Sequence, residues 1–203
     1  MRRLFAALSL LAFLAAPGGA QDRVIVAFGD SLTAGLGVPA EQSYPALLAA
    51  RLRAEGYPYR VVNAGVSGDT TAGGLRRVDW ALRLAPEVVI LELGANDALR
   101  GQDLNTVRSN LDQLVERFQA ARVRVLIAGM RLPPNYGVRY GAEFQRLYEE
   151  VAKKRGAALM PFLLAGVGGN PGLNQPDGIH PTAEGYRIIV DRLWPHLRPL
   201  LRR

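Results

Sequence analysis

Apolar side chains recur along this chain in two alternating rhythms. Mainly apolar runs at Val24–Phe28, Tyr59–Asn63, Val88–Leu93 and Arg124–Gly129, with a less regular one at Ala158–Phe162, are the strand candidates. Four of the five are rich in Val, Ile or Leu, as strands covered on both faces are. Between the runs the spacing changes to threes and fours. Tyr44, Leu47, Leu48 and Leu52 share one helical face, and Leu104, Val107, Leu111, Leu114, Val115 and Phe118 share another. Tyr140, Phe144, Leu147, Tyr148 and Val151 form a third stripe, and Tyr186, Ile189, Val190, Leu193 and Trp194 a fourth. A helix is also expected over Thr70–Leu84, where Gly73-Gly74 leaves its start open. Ser43 and Thr182 stand where helix N-caps are expected.

Strict strand–helix alternation implies right-handed crossovers and a parallel sheet between two helical layers. No repeat, low-complexity tract or linker interrupts the pattern, so residues 21–203 read as one three-layer α/β domain. In such sheets ligands bind beyond the carboxyl ends of the strands. Ser31 follows the first strand, Gly65–Thr70 the second and Gly94–Asp97 the third. Three polar turns are therefore expected along one edge.

The first 20 residues read differently. Arg2 and Arg3 precede an uncharged apolar run of 13 residues, Leu4–Ala16, and then the small-residue stretch Pro17–Ala20. That is the pattern of a cleaved export signal, and 13 residues are too few to span a bilayer comfortably. A periplasmic or secreted protein is expected.

Charge and composition remove several classes of function. Basic residues outnumber acidic ones by 25 to 18, yet only Lys153 and Lys154 are lysines and the arginines are dispersed without interleaved aromatics. This argues against nucleic-acid recognition and permits at most a contact with an anionic surface. The tail Arg192–Arg203, with Leu193, Trp194, Leu197, Leu200 and Leu201, could graze an anionic membrane, but its spacing suits a core-facing helix better. There are no cysteines, which excludes disulfides, thiolate nucleophiles and cysteine-ligated zinc. With two histidines, His180 and His196, and no tight acidic cluster, neither a metal site nor a cofactor is expected.

The chemistry rests on residues far apart in the chain. Ser31, in Phe28-Gly29-Asp30-Ser31-Leu32-Thr33, sits at a strand-to-helix bend, where a nucleophilic hydroxyl is exposed. Downstream, Asp177-Gly178-Ile179-His180 can pair a carboxylate with Nδ1 of an imidazole, leaving Nε2 free to take a proton. Acyl transfer also needs donors for an oxyanion. The Ser31 N–H, the Gly68 N–H and the Asn96 side-chain NH₂ are candidates. Each has a plainer alternative. Ser31 with Asp30 could cap a helix, Gly68 could be a turn glycine, Asn96 an Asx-turn residue and His180 a loop histidine. Their shared edge favours chemistry. His196 follows Pro195 among Arg192, Arg198 and Arg202, where a solvated role is expected.

Gly-Asp-Ser-Leu at 29–32, Gly68, Gly-x-Asn-Asp at 94–97 and Asp-x-x-His at 177–180 resemble, in order, the four blocks of the SGNH (GDSL) hydrolases. Val61–Thr70 and Arg131–Gly137 further resemble the bacterial periplasmic acyl-CoA thioesterase/lysophospholipase/arylesterase subfamily. The resemblance implies a flavodoxin-like fold with five parallel strands. It also implies a triad of Ser31, Asp177 and His180, with oxyanion donors from Ser31, Gly68 and Asn96. Thr33 stands where the nucleophile elbow of α/β-hydrolases would need its second glycine. The expected activity is hydrolysis of carboxylic esters or thioesters (acyl thioesters, lysophospholipids or aryl esters) through an acyl-enzyme. A carbohydrate O-acetyl esterase and a non-catalytic envelope-binding module are the alternatives. The acyl chain is expected along Met130–Tyr140 and Leu163–Val167.

Overall fold

The computed structural model describes residues 23–203, so the segment read as an export signal lies outside the described residues. Each predicted strand forms: β1 (Arg23–Gly29), β2 (Tyr59–Gly65), β3 (Val88–Glu92), β4 (Arg124–Ala128) and β5 (Ala158–Met160). The helices are α1 (Ser31–Ala34), α2 (Tyr44–Ala54), α3 (Thr71–Arg83), α4 (Ala95–Leu99), α5 (Leu104–Ala120), α6 (Val138–Arg155) and α7 (Ala183–Leu197).

All five strands run parallel in the order β2-β1-β3-β4-β5. The first crossover goes one way from β1 and the next three go the other, so right-handed connections divide the helices between two faces. Helix α2 packs on α7, while α3, α5 and α6 pack in series. The inner strands carry the branched apolar residues and are covered on both sides, whereas β2, at an edge, is buried only in part. Phe28 on β1 meets Phe118 on α5 edge to face at 5.6 Å. Gly74 lets α3 lie close on the sheet, because a Cβ there would sit 2.5 Å from Leu93 Cδ1.

Two of the expected caps differ in how they bond. Thr182 accepts from the Gly185 N–H at 3.3 Å. Ser43 holds the N-cap position of α2, but its Oγ donates backwards to the Ala40 carbonyl at 2.7 Å. Pro45, at the second helical position, has no N–H to offer it. At the C-terminus, Leu193, Trp194 and Leu197 are buried, with Leu200 and Leu201 packed against the same core. Those apolar side chains therefore face inward rather than outward.

The amino edge of the sheet is closed by ion pairs. Glu87, just before β3, is partnered by Arg23 at 3.5 Å, Arg202 at 3.8 Å, Arg124, and the Tyr59 hydroxyl at 2.8 Å.

Candidate active site

The polar turns meet at the opposite, carboxyl edge, and the turn after β1 is the tightest. Strand β1 ends at Gly29, where an added Cβ would lie 2.0 Å from Thr33 Oγ1 and 2.5 Å from Glu92 Oε2. Asp30 then caps α1, its Oδ1 accepting from the Leu32 N–H at 3.0 Å. The single turn of α1 closes at Gly35, which has φ +81°. This bend leaves the half-buried Ser31 side chain facing the mouth of the site.

His180 arrives from the other end of the chain, 149 residues away, with Nε2 2.9 Å from Ser31 Oγ. Its Nδ1 lies 2.6 Å from Asp177 Oδ2, while Asp177 Oδ1 accepts the Ile179 and His180 N–H groups, each at 2.9 Å. Burial alone would raise the Asp177 carboxyl, but these three hydrogen bonds outweigh it and bring it down to about 2. The loop is braced on itself by Gln175 N–H to His180 O (2.7 Å) and Gly178 N–H to Gln175 O (2.9 Å). Gly178 has φ +71°, a conformation glycine adopts without strain.

The proposed donors differ in how they are held. Neither the Ser31 nor the Gly68 N–H is taken by another group among the described residues. Gly68 is third in a turn closed by Asp69 N–H to Val66 O at 3.0 Å, and its φ of +79° is what a type II turn needs there. Its carbonyl accepts from Arg100 Nη2 at 3.0 Å. Asn96, in α4, donates one Nδ2 hydrogen to Asp30 Oδ2 at 2.9 Å, and the other has no protein partner among the described residues.

Four residues with long-range roles escape the sequence reading. Arg77 lies over the Phe28 ring at 3.8 Å and donates to Asp69 Oδ2 (2.7 Å), the Ala64 carbonyl (2.8 Å) and the Gly29 carbonyl (2.9 Å). It clips the ends of β1 and β2 to the Gly68 turn. Asp97 accepts from the Thr71 N–H and hydroxyl at 2.9 and 2.7 Å, tying α4 to the start of α3. Gln175 Nε2 donates to Leu36 O at 2.8 Å and Pro181 O at 3.0 Å, linking the histidine loop to the chain beyond α1. The fourth, Glu92, ends β3 fully buried. Its Oε2 accepts from the Asp30 N–H at 3.2 Å and Thr33 Oγ1 at 2.8 Å, while Oε1 has no partner. Burial, reinforced by the neighbouring Asp30 charge, pushes Glu92 well above the ordinary carboxyl range, and burial raises Asp30 also. A lone acid inside the apolar run Val88–Leu93 was the one available signal for it.

Two other expectations are settled by position. His196 lies in the last turn of α7, beside Arg131, Phe162 and Arg192 in a shallow groove, roughly a full helix length from His180. The expected acyl surface over Leu163–Val167 is corrected: Leu163, Leu164 and Val167 are buried in the core, as is Met130. In the other expected segment, Met130–Tyr140, Val138 is exposed after β4, and three further exposed apolar side chains, Leu36, Val66 and Ile179, each 42–49% accessible, lie on turns at the carboxyl edge.

The pattern of the GDSL-like lipase/acylhydrolase family matches residues 27–188. The chain is 45% identical over 192 residues to the esterase TesA of Pseudomonas aeruginosa, covering 94% of each protein. It is 38% identical over 198 residues to thioesterase 1/protease 1/lysophospholipase L1 of Escherichia coli, covering 97% of this chain and 92% of that one. The crystal structure of a TesA superimposes with a TM-score of 0.86 at 46% identity, over 88% of this chain and 100% of the other.

Proposed function

This chain belongs to the GDSL-like lipase/acylhydrolase family and hydrolyses ester bonds, and we propose that it does so through a Ser31–His180–Asp177 triad and a covalent acyl-enzyme. The observation that carries the reading is the 2.9 Å contact of His180 Nε2 with Ser31 Oγ, backed by the 2.6 Å contact of Nδ1 with Asp177.

Ser31 Oγ attacks the substrate carbonyl and passes its proton to His180 Nε2. Asp177, ionised down to about pH 2, holds the Nδ1 proton in place and stabilises the imidazolium. The carbonyl oxygen, now an anion, receives the Ser31 and Gly68 N–H groups and the free Asn96 amide hydrogen. Collapse of the tetrahedral adduct expels the alcohol or thiol, which takes the proton from His180. Water then attacks the acyl-enzyme by the same proton path in reverse. None of these steps calls on a metal or cofactor.

The substrates we propose are acyl thioesters and lysophospholipids, in keeping with the names of the relatives above, and aryl esters, in keeping with the subfamily that Val61–Thr70 and Arg131–Gly137 resemble. An acyl chain resting on Leu36, Val66 and Ile179 at an open edge would leave room for several chain lengths and leaving groups. The N-terminal pattern supports export, and a reaction outside the cytoplasm is part of the proposal. The test is a profile of purified protein across p-nitrophenyl esters of rising chain length and acyl-CoA thioesters. All should be hydrolysed, and Ser31→Ala should abolish every activity together. Retained turnover of either class in that variant overturns the proposal.

A further inference from the structure

The mechanism above uses neither Glu92 nor Asp30, although both are buried within hydrogen-bonding reach of its parts. Their environment is unusual. No arginine or lysine pairs with either carboxyl among the described residues, so two acids share a site without a counter-ion. The titratable side chains around them are the buried phenols of Tyr44 (α2), Tyr148 (α6) and Tyr186 (α7), and the His180 imidazole on the Asp30 side. Two like charges in such a place cannot both be retained, so one acid must keep a proton.

The hydrogen bonds say which one. Each Asp30 oxygen accepts an N–H: Oδ1 from Leu32 at 3.0 Å and Oδ2 from Asn96 at 2.9 Å. On Glu92 both donors converge on Oε2, and Oε1 is bare. A carboxylate oxygen left bare in a dry interior is costly, whereas the same oxygen bearing a proton is far less so. Asp30 is also near enough to His180 to be favoured in its charged form when the imidazole is protonated.

The location of that proton matters because of Asn96. A carboxylate can only accept, so an ionised Asp30 selects the NH₂ end of the Asn96 carboxamide. That choice leaves the second amide hydrogen free. A protonated Asp30 could instead donate to the Asn96 oxygen and turn the amide about, presenting an acceptor to a developing oxyanion. We infer that Glu92 carries the proton of the Asp30–Glu92 pair and is thereby a positioning residue, acting through Asp30 to hold Asn96 as a donor. This rests on the triad mechanism proposed above, since a donor at Asn96 has a purpose only if an oxyanion forms there.

Two measurements test it. In the infrared difference spectrum of wild type minus Glu92→Gln at neutral pH, the carbonyl stretch of a protonated carboxylic acid should appear. Its absence overturns the inference without reference to activity. The second measurement is kcat per phosphonate-titrated Ser31, so that misfolded protein is not counted. Glu92→Gln, neutral and able to accept at the same place, should keep kcat within about threefold of wild type. Glu92→Met should lower kcat on the order of ten- to a hundredfold with KM within about twofold, as loss of a transition-state donor does. In an Asn96→Ala background the same Met substitution should change kcat by less than about twofold, because its route of action has been removed. Glutamine as damaging as methionine, or a methionine effect of full size in the Asn96→Ala background, contradicts the inference. So does a methionine variant that melts earlier but turns over normally. Failure of the triad reading would look different: Ser31 itself would not titrate.

Discussion

Glu87 and Glu92 stand at the two ends of β3, five residues apart, and they lead opposite lives. At the amino edge, Glu87 is met by Arg23, Arg124 and Arg202 and by the Tyr59 hydroxyl, a partly exposed network in which its carboxylate faces cations. At the carboxyl edge, Glu92 is fully buried against Asp30 with no cation and an oxygen without a partner. A fold selected for stability alone would not place two acids together in its interior. The contrast shows that the sheet gives its acid cationic partners at one end and tolerates an unpaired acid at the other, where Ser31, Asn96 and His180 meet.

Substitutions at the two edges should therefore divide cleanly between rate and stability. The largest effect is expected from Asp177→Asn at the carboxyl edge. Loss of the carboxylate that fixes the histidine tautomer should lower kcat on the order of a thousandfold or more in steady-state ester hydrolysis. Asn96→Ala should follow, with kcat down on the order of a hundredfold or more and KM little changed, measured on the same ester. Gly68→Ala probes the donor next to it. A Cβ there meets only Arg100 Nη2, at 3.5 Å, so it has room, but the φ of +79° is strained for alanine. Relief by flipping the peptide would turn the N–H away, and about a tenfold loss of kcat with an unaltered melting temperature is expected, from the roughly 1–2 kcal/mol of that strain. A drop in stability with normal kcat would show that the turn holds its shape at the cost of strain.

The amino edge should respond in the other currency. Glu87→Gln is expected to leave kcat unchanged while lowering stability by about 1 kcal/mol in urea unfolding, because its pairs are partly solvated. If it instead damages kcat, the division between edges is wrong. The smallest effect expected is again at Asp177, this time on stability. Its folded carboxyl is lowered from 3.8 to about 2, so the ionised form's contribution is complete above about pH 4 and is lost as pH falls through 2. Since 45% of that side chain is exposed, the gap between wild type and Asp177→Asn should stay under about 1 kcal/mol at neutral pH and close on acidification. One residue would then show a large effect on rate and a minor one on folding.

Much of this was readable in advance, for a physical reason. Strands β1 to β5 and the faces of α5, α6 and α7 follow from periodicity, because what is buried is apolar and local spacing records it. The turns bearing Ser31, Gly68 and Asn96 fall on one edge because a parallel sheet leaves no other choice. What escaped depends on partners distant in sequence. Arg77 reads as an ordinary helix-surface arginine until the ends of β1 and β2 are brought to it. Gln175 has no local signature, since its two acceptors are the carbonyls of Leu36 and Pro181. Leu163, Leu164 and Val167 read as a surface loop for want of periodicity, but they are buried core residues, and Gly166 approaches Arg192 of α7. Ser43 reads as a cap because the hydroxyl is placed for one, and Pro45 removes the donor it would have used.

The account depends above all on Ser31 being the nucleophile that His180 activates. The direct test is intact-protein and peptide mass spectrometry after exposure to an activated organophosphonate. The prediction is one adduct per molecule, on Ser31, forming on the order of a hundredfold more slowly in His180→Ala, in keeping with the size of general-base contributions. An adduct on another residue, or one that forms in His180→Ala as fast as in wild type, would contradict it.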